Sequence, residues 1–293
     1  MQVKQYCFLN KMTVDNTYIP GSVWLYYKLY TGPKLADKIL ALYILPIINQ
    51  LYEHRLIDLF FFIRYNDPDF HIRIRFKTKN NSDVISIITP IWTQLVKEQK
   101  INKVVIDSYI QETGRYENIN MEVIESIFSI DSYACLQMFN YLQLTGKDQS
   151  NMRWLLSIKM IDRLLNALKY NDQQKSSLIN SLAENFRREF LFTTHNYTKQ
   201  INRKYRSYYL DVEMMLKNHC GDSQIEEIVD KCTDQLLPLF CQLQLNSNNT
   251  ERIIGSIIHM FMNRWFRSQN RLYEMVIYSF MGKYYKQKIY QFK

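Results

Sequence analysis

The sequence predicts an α+β fold in one compact unit, with strands and helices mixed over residues 1–118 and helices alone over 119–293. Three observations carry this. Residues 70–77 alternate polar and apolar side chains with the period of a strand. Two aromatic-rich apolar runs, 23–30 and 59–65, end at turn residues. Beyond Arg115 every apolar pattern recurs at three- and four-residue spacing, which is the period of a helix.

Taken in order, Val23 to Tyr30 reads as a strand closed by Thr31-Gly32-Pro33. Lys34 to Arg55 sets Leu35, Ile39, Leu42, Tyr43, Ile47 and Leu51 at helical intervals, with Pro46 expected to kink the helix. Leu59 to Tyr65 suits a buried strand. The turn Asn66-Asp67-Pro68-Asp69 then joins it to Phe70 to Lys77 as a hairpin. A helix over Asp83 to Gln99 and a strand over Lys103 to Glu112 complete the mixed region. Helices are expected at 120–144, 151–169, 174–191, 197–218, 223–245 and 250–287, the last broken near Ser268.

Composition narrows the function classes. The 293 residues are 47% hydrophobic and 22% charged, and 22 Tyr with 16 Phe exclude a disordered chain. The stretch Ala36 to Leu51 is interrupted by Asp37, Lys38, Asn49 and Gln50 and reads as too short for a bilayer, so no membrane span is expected. The start, MQVKQYCFLN, lacks the apolar core of a secretory signal. Cys7, Cys135, Cys220, Cys232 and Cys241 form no CxxC pair and read as reduced thiols of a cytoplasmic protein, with no metal site expected. The formal charge of +9 fits a solvated surface or an anionic partner. The Lys and aromatic residues interleaved over Tyr284 to Lys293 fit an amphipathic helix end or a nucleic-acid contact, and the former is the simpler reading.

Chemistry could sit in three segments. On His71-Ile72-Arg73-Ile74-Arg75-Phe76 the alternation sets His71, Arg73 and Arg75 on one face, with the two guanidinium groups roughly 7 Å apart. Such a pair can clamp a carboxylate, although solvated arginines on an open sheet face would look the same. In Glu112-Thr113-Gly114-Arg115-Tyr116, a glycine permits a tight turn that re-aims Arg115, and an ordinary connection is the alternative. On the apolar helix around Ile257 to Arg264, His259 and Asn263 lie one turn apart, which fits either a buried core histidine or an acid–base pair. His54, His195 and His219 have no matching partners, and Asp131-Ser132 has no neighbouring histidine to complete a hydrolase triad.

Together these segments resemble the C-terminal elimination domain of class I lanthipeptide dehydratases, also called the thiopeptide-type bacteriocin biosynthesis domain. The matching residues are Trp24-Leu25-Tyr26-Tyr27-Lys28-Leu29-Tyr30, Phe61-Phe62-Ile63-Arg64-Tyr65 with Asp67-Pro68, and His71 to Phe76. Gly114-Arg115-Tyr116, Phe128 to Ser132, and His259-Met260 with Asn263-Arg264 complete the ordered set, which spans nearly the whole chain. The resemblance implies a split dehydratase subunit. A separate tRNA-dependent glutamylation subunit esterifies Ser or Thr of a ribosomal precursor peptide, and this chain eliminates glutamate to leave dehydroalanine or dehydrobutyrine. It implies Arg73, Arg115 and His259 as catalytic residues, and Arg75, His71, Asn263, Arg264 and Tyr116 as substrate-binding ones. It implies no metal or organic cofactor and no direct nucleic-acid contact, and it allows a lanthionine cyclase as a further partner. Glycines common in the family after the Arg-Tyr pair are replaced here by Glu117-Asn118. Two alternatives stand beside it: a thiopeptide-type pyridine synthase that joins two dehydroalanines, and a non-catalytic peptide- or RNA-binding module.

Overall fold

Alternating side chains and short turns build the N-terminal region around two antiparallel sheets. The computed structural model describes residues 13–14, 16–116, 119–147, 150–189, 195–217, 220–243, 245–246 and 249–291. Along the chain, β1 (Thr13–Val14) and β2 (Thr17–Tyr18) precede β3 (Trp24–Tyr30), β4 (Leu59–Asn66), β5 (Phe70–Lys77), β6 (Lys103–Ile106) and β7 (Tyr109–Ile110). The larger sheet has the order β4-β5-β3-β6 and the smaller one β1-β2-β7. The β4–β5 hairpin pairs Asn66 with Phe70 and Phe61 with Arg75, as the turn residues predict.

Two departures from the sequence reading have local causes. The helix expected over Lys34 to Arg55 is α1 (Pro33–Ile39), a π-helical turn (Leu40–Ile44) and α2 (Leu45–Glu53). Pro46 in the first turn of α2 has no N–H and its ring crowds the carbonyl four residues back, which a widened turn relieves. The strand expected over Lys103 to Glu112 breaks at Asp107-Ser108. There the Asp107 carboxylate accepts the Ser108 N–H at 2.7 Å, and the chain passes from β3 to β2 as its pairing partner.

One sheet face is apolar and buried under helices. Ile72, Ile74, Phe76, Leu25 and Leu29 are all within 1% of full burial. Trp92 of α3 (Asn81–Lys97) packs edge-on against Tyr27 at 6.2 Å. On this face Arg64 pairs with Asp37 of α1 at 2.7 Å, both nearly inaccessible. The segment Pro33–Glu53 does reach the length and composition of a membrane-crossing helix, which corrects the expectation that it is too short, but 56% of its apolar window is buried within the protein. It is a core helix by packing.

After a 3-10 turn (Thr113–Tyr116), helix α4 (Met121–Leu144) is capped by Asn120, whose side chain accepts the Glu122 N–H at 2.9 Å. It covers the open edge of β4. Ser129 and Ser132 accept the Phe60 and Phe62 N–H groups at 3.4 and 3.2 Å, satisfying an edge that would otherwise be free to pair with another strand. This gives Ser132 a structural role. Ser132→Val should therefore leave the Phe62 N–H unsatisfied, with an expected cost of about 1–3 kcal/mol in denaturant unfolding. An unchanged midpoint would mean that water replaces the hydroxyl.

Because α4 stays with the sheet, the chain forms two compact units, Met1–Thr145 and Gly146–Lys293, although the change from strands to helices falls near residue 118. No glycine- or serine-rich linker marks that division, so composition gave no sign of it.

The second unit is helical in its described residues: α5 (Ser150–Ala167), α6 (Asp172–Glu189), α7 (His195–Lys217), α8 (Ser223–Phe240), α9 (Thr250–Trp265) and α10 (Asn270–Gln291). Helices α6 and α10 approach closely at Gly282, where a Cβ would come within 2.5 Å of Asn180. Arg153 of α5 and Trp265 at the end of α9 bond reciprocally, Nη1 to carbonyl at 3.0 Å and indole N–H to carbonyl at 2.7 Å. The break between α9 and α10 falls where the sequence places it, near Ser268.

Candidate functional site

The face of the large sheet opposite the core is where β5 presents its polar residues. Register places three rows across β3, β5 and β4: Tyr30–His71–Tyr65, Lys28–Arg73–Ile63 and Tyr26–Arg75–Phe61. This face is not an open, solvated surface. His71 is 1% exposed and Arg75 6%, so aromatic neighbours have replaced water around both.

Arg75 lies in a box of three rings, its guanidinium carbon 4.4 Å from the Tyr26 centroid, 4.7 Å from Tyr109 and 5.1 Å from Phe61. Its Nε and Nη1 are buried and make no hydrogen bond. Burial lowers its proton affinity, an effect that the neighbouring Tyr109, Tyr26 and Glu112 oppose. One wall of the box is fixed from behind. The buried Glu125 of α4 accepts the Tyr109 hydroxyl at 2.8 Å and the Gln111 amide at 2.6 Å, and burial raises its own carboxyl above the ordinary range.

Arg73 is held differently. Its guanidinium stacks on Tyr65 at 3.4 Å, and its Nε–H donates to His71 Nε2 at 3.0 Å. His71 must then be neutral with its proton on Nδ1, which donates to the Asp69 carbonyl at 2.8 Å. Burial lowers the His71 pKa and keeps it in that form. His71 therefore aims Arg73.

Arg115 belongs to the 3-10 turn, and Gly114 needs no left-handed backbone there. Its half-exposed side chain pairs with Glu112 at 3.5 Å. Tyr116 is buried, its ring edge-on to Phe128 at 5.9 Å, so it packs the turn against α4. Glu117 and Asn118 lie outside the described residues.

His259, Asn263 and Arg264 belong to the second unit. His259 is half-buried on α9, and its Nδ1 lies 2.8 Å from Oε1 of Glu274 on α10. Glu274 is wholly buried. Burial pushes its carboxyl up, while His259 and Arg271 act against that, and Tyr278 donates to its other oxygen at 3.5 Å. A buried carboxylate on Nδ1–H fixes the tautomer that leaves Nε2 with a lone pair. Asn263 is half-buried one turn further on. Arg264 is fully buried and donates to the Met260 carbonyl at 2.9 Å, so it braces α9.

A family model described as "Lantibiotic biosynthesis dehydratase C-term" matches residues 24–285. The chain belongs to this lantibiotic dehydratase C-terminal family. Its curated relatives include the subtilin biosynthesis protein SpaB of Bacillus subtilis, 25% identical over 90% of this chain, and the nisin biosynthesis protein NisB of Lactococcus lactis, 27% identical over 84%. The chain spans about a quarter of the length of either relative, 25% and 24%. Among solved structures, the tRNA-dependent lantibiotic dehydratase MibB from Microbispora superposes with a TM-score of 0.73 at 17% identity, over 94% of this chain and 29% of that one. The pyridine synthase TbtD from thiomuracin biosynthesis superposes with a TM-score of 0.59 at 10% identity, over 93% of this chain and all of that one.

Within this dehydratase-like chain, sequence spacing could not find Glu274. It lies fifteen residues beyond His259, past the helix break, where three- and four-residue periodicity no longer relates side chains. The available signal was a lone acid within the apolar run Tyr273-Glu274-Met275-Val276-Ile277. Glu125, the support behind Tyr109, is hidden the same way. His54 is exposed at the end of α2, while His219 and the His195 side chain lie outside the described residues. Among the described residues no group of three His, Cys, Asp or Glu could hold a metal. Cys135, Cys220, Cys232 and Cys241 are thiols, not in disulfides.

The histidine–carboxylate pair supports one expected result. If His259 takes up a proton during turnover, Glu274→Gln, which keeps an acceptor near Nδ1 but removes the charge that stabilises an imidazolium, should lower kcat about 10- to 100-fold with KM unchanged. Equal losses in kcat and in thermal stability would mean that Glu274 only packs the helices.

Proposed function

We propose that this chain eliminates glutamate from glutamylated Ser or Thr of a ribosomal precursor peptide, producing dehydroalanine or dehydrobutyrine. The observation that carries the reading is Arg75, a buried guanidinium with two unpaired nitrogens on the same face as Arg73. A protein tolerates so costly an arrangement where an anion completes it, and the leaving group here is a carboxylate. The base takes the Cα proton, the Cα–Cβ double bond forms, and the Cβ–O bond breaks with its electron pair leaving on the glutamate carboxylate. Arg73 and Arg75, together with Arg115, stabilise that departing charge. His259, held through Nδ1 by Glu274, supplies Nε2 as the base. His71 acts by aiming Arg73. The esterified peptide would come from a tRNA-dependent glutamylation partner in the cytoplasm, and a lanthionine cyclase would use the product.

The test is mass spectrometry of a peptide bearing one glutamyl-Thr ester after incubation with the protein alone. Net loss of glutamic acid, dependent on Arg73 and His259, supports the reading, and an unchanged ester with folded protein rejects it. A second reading, pyridine formation from two dehydroalanines, is favoured by the match to TbtD over that chain's entire length. The same assay with a peptide carrying two dehydroalanines tests it. The paired arginines favour elimination, because cycloaddition releases no carboxylate.

A further inference from the structure

Among the cations of this sheet face stands a carboxylate that elimination leaves without a task. Asp107 lies just past β6, where the chain leaves the large sheet. Its backbone N–H donates to the Tyr26 carbonyl at 3.1 Å, and its Oδ1 accepts the Ser108 N–H at 2.7 Å. Its Oδ2 pairs with the ammonium of Lys28, the direct cross-strand neighbour of Arg73. Burial pushes the Asp107 carboxyl up, but Lys28, the Ser108 N–H and Arg73 more than offset this, so it stays charged.

A negative charge beside arginines that bind an anion weakens that binding. Stability is a poor reason to keep it there. The Asp107 side chain is 41% exposed, and an ion pair so open to water contributes little. The chemistry of the leaving group offers a better reason. Glutamate esterified through its α-carboxyl carries a free side-chain carboxylate and, next to the ester carbonyl, an α-ammonium. The first suits guanidinium groups, and the second needs a carboxylate of its own. Lys28 already demonstrates that Asp107 accepts an ammonium in this place, and a carboxylate has lone pairs for more than one donor.

We propose that Asp107, held by Lys28 one strand away from Arg73 on this face, receives the α-ammonium of the aminoacyl group and makes the face selective for aminoacyl over plain acyl esters. The inference rests on the elimination reading of the same face. It makes Asp107 a specificity residue, distinct from the arginines that hold the carboxylate. A site built to hydrogen-bond a substrate amine discriminates strongly against an analogue that lacks it.

The experiment compares two peptides, one carrying a glutamyl-Thr ester and one a glutaryl-Thr ester, which keeps the carboxylate but has no amine. Wild type should prefer the glutamyl ester by roughly ten-fold or more in kcat/KM. Asp107→Asn, nearly isosteric, should bring the ratio close to one by slowing the glutamyl ester, while the glutaryl ester is turned over as fast as by wild type or faster, because a charge that opposes its carboxylate is gone. A variant that keeps the ratio, or that slows both esters equally, overturns the proposal. If wild type eliminates neither ester, the elimination reading fails, and Asp107 is judged from calorimetric binding. In that arm the same two acyl groups are attached to the peptide as amides that cannot be eliminated. Tighter binding of the glutamyl amide that disappears in Asp107→Asn supports the proposal, and equal or absent binding of both overturns it.

Discussion

With His259 replaced by Ala, a glutamyl-Thr peptide is expected to keep its ester while the protein still binds it. Loss of a positioned base slows proton transfer by roughly 10²- to 10⁴-fold, so single-turnover mass spectra should show the esterified peptide persisting where wild type gives dehydrobutyrine. The prediction separates catalysis from recognition because His259 sits in the second unit, whereas the arginines that would bind glutamate belong to the sheet of the first. Binding by the variant should stay within about two-fold of wild type, since the arginine face is untouched. The fold should survive too. His259 is half-buried, and its side chain bonds to Glu274. Removing it leaves a buried carboxylate with less support, and that carboxylate can take up a proton because burial already raises its pKa. Unchanged turnover would remove His259 from the mechanism. A variant that fails to bind would mean that it holds substrate.

Much of the fold was legible because local chemistry decides it. The alternation of Phe70 to Lys77 gave both the strand and the face shared by His71, Arg73 and Arg75, and the structure keeps that face intact. Alternation could not say whether the face is wet or enclosed. That depends on Tyr26, Phe61 and Tyr109, which come from three different strands, the last of them in the smaller sheet, and meet only in the fold. The π-turn at Leu40–Ile44 was hidden for a related reason. The apolar spacing around Pro46 reads as helical throughout, but the extra residue in the turn shifts the buried face, so that Leu42 of the expected stripe is exposed while Leu40 and Ile44 are buried. The β6–β7 break turns on a single Asp107 side chain taking its neighbour's N–H, a contact that an apolar pattern cannot report. Site residues divide the same way. Arg73 and His259 stand out by residue type, but Glu274, Glu125 and Asp107 acquire meaning only from what the fold brings beside them.

Arg75 carries the second large expected effect, and it runs in opposite directions for stability and activity. Desolvating a guanidinium with two unpaired nitrogens costs several kcal/mol, and ring contacts of about 0.5–2 kcal/mol each recover only part of that. Arg75→Met, similar in length and apolar, should therefore raise stability by about 1–4 kcal/mol in denaturant unfolding. Elimination should meanwhile fall about 100-fold or more in kcat/KM, because half of the paired cation is gone where the carboxylate departs. Arg73→Met should lose activity without that gain, since Arg73 is already partnered by His71 and stacked on Tyr65. The pH dependence adds a check on the Arg73 arm. The folded pKa of His71 is lowered from 6.5, so its contribution to stability is fully present above that pH and is lost as pH falls through the lower folded value. Burial is the larger cause of that lowering, so removing Arg73 should shorten the acid limb only in part. If Arg75→Met instead lowers the unfolding midpoint, the guanidinium is a brace for the aromatic box and not a site awaiting its anion. A rise in stability with loss of turnover is the pattern of a residue kept for function at the expense of the fold.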